Sequence, residues 1–254
     1  MALERYIQNR LNEKDILLMT HIVLGYPSFK DSVELIQEMV AGGVDLMELQ
    51  IPFSEPTADG PVIVKANQRA LERGARIKDC LNVAKQAAGT FDIPFLIMTY
   101  YNIPFIYGLK RFLAAISDYG IRGAIIPDLP PEEGRDYLDK MNTYDLAPIL
   151  IFSPTTSFDR MHYIATFAKG FIYCVSRKGV TGQNTDFSEK LRAYLVKCRK
   201  ATSLPLAVGF GVKSKSDVDF LKCKADIAVI GSETLRMVEQ KGIASVKDFI
   251  RSLR

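Results

Sequence analysis

The sequence contains no tryptophan and only two histidines, and its four cysteines, Cys80, Cys174, Cys198 and Cys223, form no CxxC pair. His21 and His162 lack metal-ligand spacing, so neither a zinc site nor a disulfide framework is expected, and a reduced, cytoplasmic chain is the natural reading. No apolar run reaches the roughly 18 residues that a membrane helix needs. Met1–Leu11 carries charges without an apolar stretch, so no secretion signal is expected. Charge of one sign is also scarce. The net charge of +4 comes from 33 basic and 29 acidic residues, too small and scattered an excess to suggest nucleic acid. Neither a linker nor a low-complexity stretch divides the 254 residues, which predicts a single domain over 1–254.

What is present is alternation. Short apolar runs occur at Ile16–Leu24, Val44–Ile51, Ile93–Tyr100, Gly123–Ile126, Ala147–Phe152, Gly170–Val175, Leu204–Val208 and Ile227–Ile230. Most are apolar at nearly every position, as parallel strands buried on both faces require. Between them the spacing predicts helices over Ser28–Val40, Pro61–Arg73, Ile77–Ala87, Leu109–Tyr119, Pro131–Thr143, Ser157–Phe167, Phe187–Lys200, Ser214–Lys222 and Val246–Ser252, with Ser157 and Ser214 as N-caps. Eight strands alternating with helices in this length predict an α/β fold, a (β/α)8 TIM barrel with an extra N-terminal helix. An open doubly wound sheet would show GxGxxG after its first strand, where this chain reads Leu24-Gly25-Tyr26-Pro27.

In such a barrel the site lies at the C-terminal ends of the strands. Strand 7 exits at Gly209-Phe210-Gly211, and strand 8 exits at Gly231-Ser232 straight into a helix. Two readings stand: tight βα turns, or a phosphate cradle built from close backbone and a helix N-terminus. Lys178-Gly179-Val180-Thr181-Gly182, after strand 6, is placed to act as a lid. On strand 2, alternation puts Leu46, Glu48 and Gln50 on one face. A carboxylate there is either a hydrogen-bonded structural group or a functional one. Asp59, in a loop with Pro52, Pro56 and Pro61, is either an N-cap or the second carboxylate of one pocket.

The stretch Glu48–Leu71, ELQIPFSEPTADGPVIVKANQRAL, resembles the signature of tryptophan synthase α chains. The likeness continues through Met98–Asn102, Pro127–Glu133, Ser176–Gly182, Gly209–Gly211 and Ile230–Ser232, nearly the whole chain. The resemblance implies retro-aldol cleavage of indole-3-glycerol phosphate. It implies Glu48 as general acid/base and Asp59 as acceptor of the indole N–H. Gly182, Gly209, Gly211, Gly231 and Ser232 would bind phosphate, and Thr181 would order Glu48 from the lid. Tyr100, Ile125, Ile151, Tyr173 and Phe210 would line the indole slot. It implies no metal or cofactor in this chain, and a pyridoxal-phosphate-bearing β subunit in an α2β2 heterotetramer. The loop after strand 2 and the lid would face that partner, and ligand at one site would bias the other.

Some positions depart from the family pattern. Gln50 stands for a usual Gly, Glu55 for Asp, Val64 for Gln, Thr20-His21 for Pro-Phe, and Ile103-Pro104 puts one residue between Asn102 and the proline. Gln50 shares the Glu48 face, so it is expected to crowd or hydrogen-bond that carboxylate, and a 1 Å displacement costs about a hundredfold in rate. Two expectations follow: a working lyase, or a weakened barrel kept to activate the β chain. A third, another sugar-phosphate barrel such as an isomerase, fits the ADGP loop poorly.

Overall fold

The computed structural model describes residues 2–175, 184–209 and 211–254. Lys178, Gly179, Val180, Thr181, Gly182 and Phe210 lie outside the described residues. Eight parallel strands close in sequence order into one barrel: β1 (Leu17–Val23), β2 (Leu46–Gln50), β3 (Phe95–Met98), β4 (Gly123–Ile125), β5 (Ala147–Phe152), β6 (Ile172–Val175), β7 (Leu206–Gly209) and β8 (Ile227–Ile230). The barrel closes where β1 pairs with β8, Leu17 opposite Ile227. The helices are α1 (Leu3–Leu11), α2 (Phe29–Gly42), α3 (Pro61–Glu72), α4 (Ile77–Thr90), α5 (Asn102–Tyr107), α6 (Leu109–Asp118), α7 (Arg135–Thr143), α8 (Phe158–Ala165), α9 (Asn184–Ala201), α10 (Lys215–Leu221), α11 (Ser232–Lys241) and α12 (Ser245–Ser252). Among the described residues none of these is long and apolar enough to cross a membrane.

The local sequence explains the helix starts. Ser28 caps α2 by accepting from the Asp31 N–H, and Ser157 caps α8 by accepting from the Arg160 N–H. Pro61 opens α3, where a missing N–H costs nothing. Two helix readings are corrected. Helix α7 starts at Arg135 instead of Pro131, because Glu133 and Gly134 both donate to the Pro130 carbonyl and turn the chain first. The short α5 was not anticipated, although Pro104 sits in its first turn, where proline is tolerated.

Strand residues alternate between two cores. One row, including Leu18, Met47, Leu49, Ile97 and Val208, packs outward against the helices. The other, including Leu17, Met19, Leu46, Leu96, Ile149 and Ala207, fills the barrel. Burying each such large side chain contributes about 1.5–3 kcal/mol. Helix α1 stoppers the barrel floor by placing Leu3 and Ile7 in this inner cluster. A Cβ at Gly170 would lie 2.7 Å from Leu3, so that approach needs glycine. Beside the stopper, fully buried Asp45 gathers Lys14, Arg10, Arg254 and the Leu18 N–H. Its carboxyl is held below the usual range: burial pushes it up, but the bonds from Lys14, Leu18 and Arg254 prevail.

Candidate active site

The inner row runs out of apolar residues near the C-terminal ends of β1 and β2. His21 is paired in register with Glu48, and alternation carries the row on to Gln50. All three are buried, with Glu48 and His21 each 3% exposed and Gln50 0%. Such burial is unfavourable for polar groups unless they find partners. The expected shared face of Leu46, Glu48 and Gln50 is therefore present.

Glu48 Oε1 lies 2.8 Å from His21 Nδ1 and accepts a longer bond, 3.4 Å, from the Tyr173 hydroxyl on β6. The other oxygen, Oε2, is buried and has no hydrogen-bond partner among the described residues, and the same holds for His21 Nε2 and Gln50 Oε1. Burial works against charge on the His21 ring. The carboxylate of Glu48, its hydrogen bond and the more distant Asp59 outweigh it, so the imidazole holds its proton above the ordinary range. Burial, reinforced by Glu48, drives the Tyr173 phenol well up, so it remains a donor.

Among the described residues no hydrogen bond joins Gln50 to Glu48. Instead Gln50 Nε2 donates to Asp59 Oδ2 at 2.7 Å, and the Tyr100 hydroxyl donates to the same oxygen at 3.1 Å. The reason is directional. His21 already occupies the near oxygen of Glu48, and the loop after β2 folds back so that Asp59 meets the tip of Gln50. Asp59 is not an N-cap, because Gly60 caps α3. Its loop is fixed by the Ala58 N–H donating to Tyr100 Oη at 3.0 Å, by Phe53 stacking on Tyr100 with centroids 5.0 Å apart, and by Asn67 accepting from the Phe53 N–H. Burial raises the Asp59 carboxyl, and Glu48 adds to the rise, against lowering by His21, Gln50 and Tyr100.

Around these carboxylates the inner wall carries Tyr100, Ile125, Ile151 and Tyr173 in one apolar cluster. Gly209 makes room for Tyr173, since a Cβ there would come within 3.0 Å of its ring and hydroxyl. Gly211 has φ +87°, a conformation that favours glycine. The two helix starts beyond these strands differ. Asp217 accepts from the Lys213 and Ser214 N–H groups and closes the start of α10. Helix α11 begins at Ser232 behind Gly231, with no side-chain cap. A helix start without a side-chain cap leaves backbone N–H groups that need other partners. The residues named for the slot, the cradle and the carboxylate pair thus gather at one end of the barrel, apart from Thr181, Gly182 and Phe210, which lie outside the described residues. The sequence did not single out His21 as a partner of Glu48. The available signal was its place one strand over, at the level of Glu48. Among the described residues no group of three or more His, Cys, Asp or Glu is arranged to hold a metal.

The family model of the tryptophan synthase alpha chain matches residues 7–252. The tryptophan synthase alpha chain of Desulforapulum autotrophicum is 60% identical over 251 residues, 99% of each chain. That of Syntrophotalea carbinolica is 57% identical, over 99% of this chain and 100% of its own. The crystal structure of tryptophan synthase subunit alpha from Legionella pneumophila superposes with a TM-score of 0.90 at 30% identity, covering 99% of this chain and 96% of that one.

Proposed function

The chain belongs to the tryptophan synthase alpha chain family, and from that premise we propose how its residues carry out the reaction. The activity is that of a lyase of tryptophan biosynthesis, which splits indole-3-glycerol phosphate into indole and glyceraldehyde 3-phosphate. Indole leaves poorly as a carbanion, so C3 must gain a proton before the C3–C3′ bond breaks. Glu48 supplies that proton, and Asp59 stabilises the positive charge that then appears on the ring nitrogen. Glu48 next removes the proton of the C3′ hydroxyl. The carbonyl forms, the electrons of the broken bond return to the ring, and the proton count of the enzyme is unchanged.

The observation that carries this reading is the pair of carboxylates, buried Glu48 and half-buried Asp59, each held on one oxygen by donors at the same mouth. Tyr100, Ile125, Ile151, Tyr173 and Phe210 form the indole slot, Gly182, Gly209, Gly211, Gly231 and Ser232 grip the phosphate, and Thr181 closes over Glu48. The grip fixes the substrate in register without touching the reacting bond. Gln50 and His21 donate to the two carboxylates instead of displacing them, which favours the working lyase over a barrel retained only as an activator.

The partner is the β subunit, in an α2β2 assembly within the cytoplasm, and pyridoxal phosphate is the cofactor of that partner alone. Phe105 and Ile106 on α5 are 63% and 75% exposed at the mouth end, an apolar surface suited to a partner. Indole release from indole-3-glycerol phosphate, measured with the β subunit present, tests the reading. Glu48→Gln should lose at least a hundredfold in kcat, about 2.7 kcal/mol. Full activity in that variant would overturn the assignment.

A further inference from the structure

We infer that His21 is a positioning residue for this reaction, a donor that fixes Glu48 by its Oε1 and leaves Oε2 to work on the substrate. The inference rests on the lyase reading and goes beyond it by dividing the labour between the two oxygens of one carboxylate. His21 and Glu48 sit opposite each other on β1 and β2 and are 3% exposed, with Nδ1 2.8 Å from Oε1. Tyr173 aims its hydroxyl at the same Oε1. Both donors therefore hold one oxygen, and the second, equally buried, is without a partner among the described residues. A free carboxylate oxygen inside a barrel is costly unless something binds there in turn.

The surroundings of His21 favour its charged form. Glu48 and Gln50 face it from β2 and Asp59 from the following loop, while Tyr173 reaches the same carboxylate from β6. From α11, Thr234 contributes only a hydroxyl, 3.5 Å from the His21 carbonyl oxygen, and Gly231 beyond β8 brings no charge. Two carboxylates thus act on the ring, and burial is outweighed. The ring in turn holds Oε1 in place while Oε2 gives its proton to C3 and then takes the hydroxyl proton. His21 itself neither gains nor loses a proton over the cycle.

The chain has two histidines, so imidazole NMR of the labelled protein needs only His162→Gln for assignment. His21 should titrate above the ordinary imidazole range, and Glu48→Gln should bring it down. A His21 that is neutral throughout, or indifferent to Glu48→Gln, overturns the inference. The kinetic arm uses His21→Phe, which keeps a ring, and His21→Asn, which keeps a donor. In His21→Phe, which loses the donor to Oε1, kcat should fall about tenfold while KM changes little. His21→Asn should recover much of kcat at neutral pH. Wild-type kcat in His21→Phe overturns the inference, and if that variant fails to fold, His21→Asn and the titration of His21 decide. Wild-type protein that releases no indole overturns the lyase reading and this role together. Active wild type with wild-type kcat in both variants overturns this role alone.

Discussion

Replacing Gln50 separates obstruction from support. The side chain is wholly buried and spends its amide N–H on Asp59 Oδ2 at 2.7 Å. A hydrogen bond to a charged group contributes about 1.5–3 kcal/mol net. Tyr100 is the other side-chain donor to that oxygen, so its loss leaves Asp59 half supported in a site whose burial already favours the protonated acid. A protonated Asp59 carries no charge to balance the one that grows on the indole N–H. If all of the bond is expressed in the transition state, kcat drops about tenfold to a hundredfold. Two variants distinguish the cases. Gln50→Leu keeps the bulk without the donor, and Gln50→Gly removes both. Support predicts that both release indole more slowly, with the larger deficit at acid pH where Asp59 protonates first. Obstruction predicts that Gln50→Gly gains and Gln50→Leu does not. Indole release by Gln50→Gly faster than wild type, with the β subunit present, would refute the reasoning.

Two further predictions concern stability and assembly. Asp45 is held below its ordinary range, so its stabilisation is complete above the unfolded carboxyl pKa of about 3.9 and is lost as pH falls through the lower folded value. Breaking a buried pair costs about 3–5 kcal/mol, and the solvent-touching cations of this cluster place Asp45→Asn near 3. Calorimetry should then show Tm lower by about 6–12 °C at neutral pH, with the gap narrowing in acid; a Tm within about 2 °C of wild type contradicts a stabilising role for the Asp45 cluster. For the partner face, Phe105→Asp should weaken binding to the β subunit about tenfold or more by titration calorimetry, while leaving the melting temperature of the isolated chain unchanged. Undiminished affinity would remove α5 from the interface.

The barrel was legible because its strands are buried on both faces. Ala147–Phe152 and Ile227–Ile230 read as strands to the residue, since nothing polar blurs their ends. Elsewhere apolar residues run past the ladder, as at Ile93, where β3 begins only at Phe95. The carboxylate pair was legible too, because a charge in an apolar strand and a rigid proline-rich loop are both local signals. Which donor meets which carboxylate was not. Gln50 and Glu48 share a face by simple alternation, but the hydrogen bond is decided by a loop that returns nine residues later and by a histidine on the neighbouring strand. Those are long-range facts, set by barrel closure and strand register.

The stopper formed by α1 has a consequence for proton traffic. Leu3 and Ile7 fill the far end, so in the proposed site substrate would enter from, and plug, the opposite side. During turnover the reacting groups then sit like the contents of a corked flask, unable to borrow hydrogen ions from bulk water. Chemistry in such a vessel has to return every one it takes, and moving one from an alcohol to a ring carbon does so.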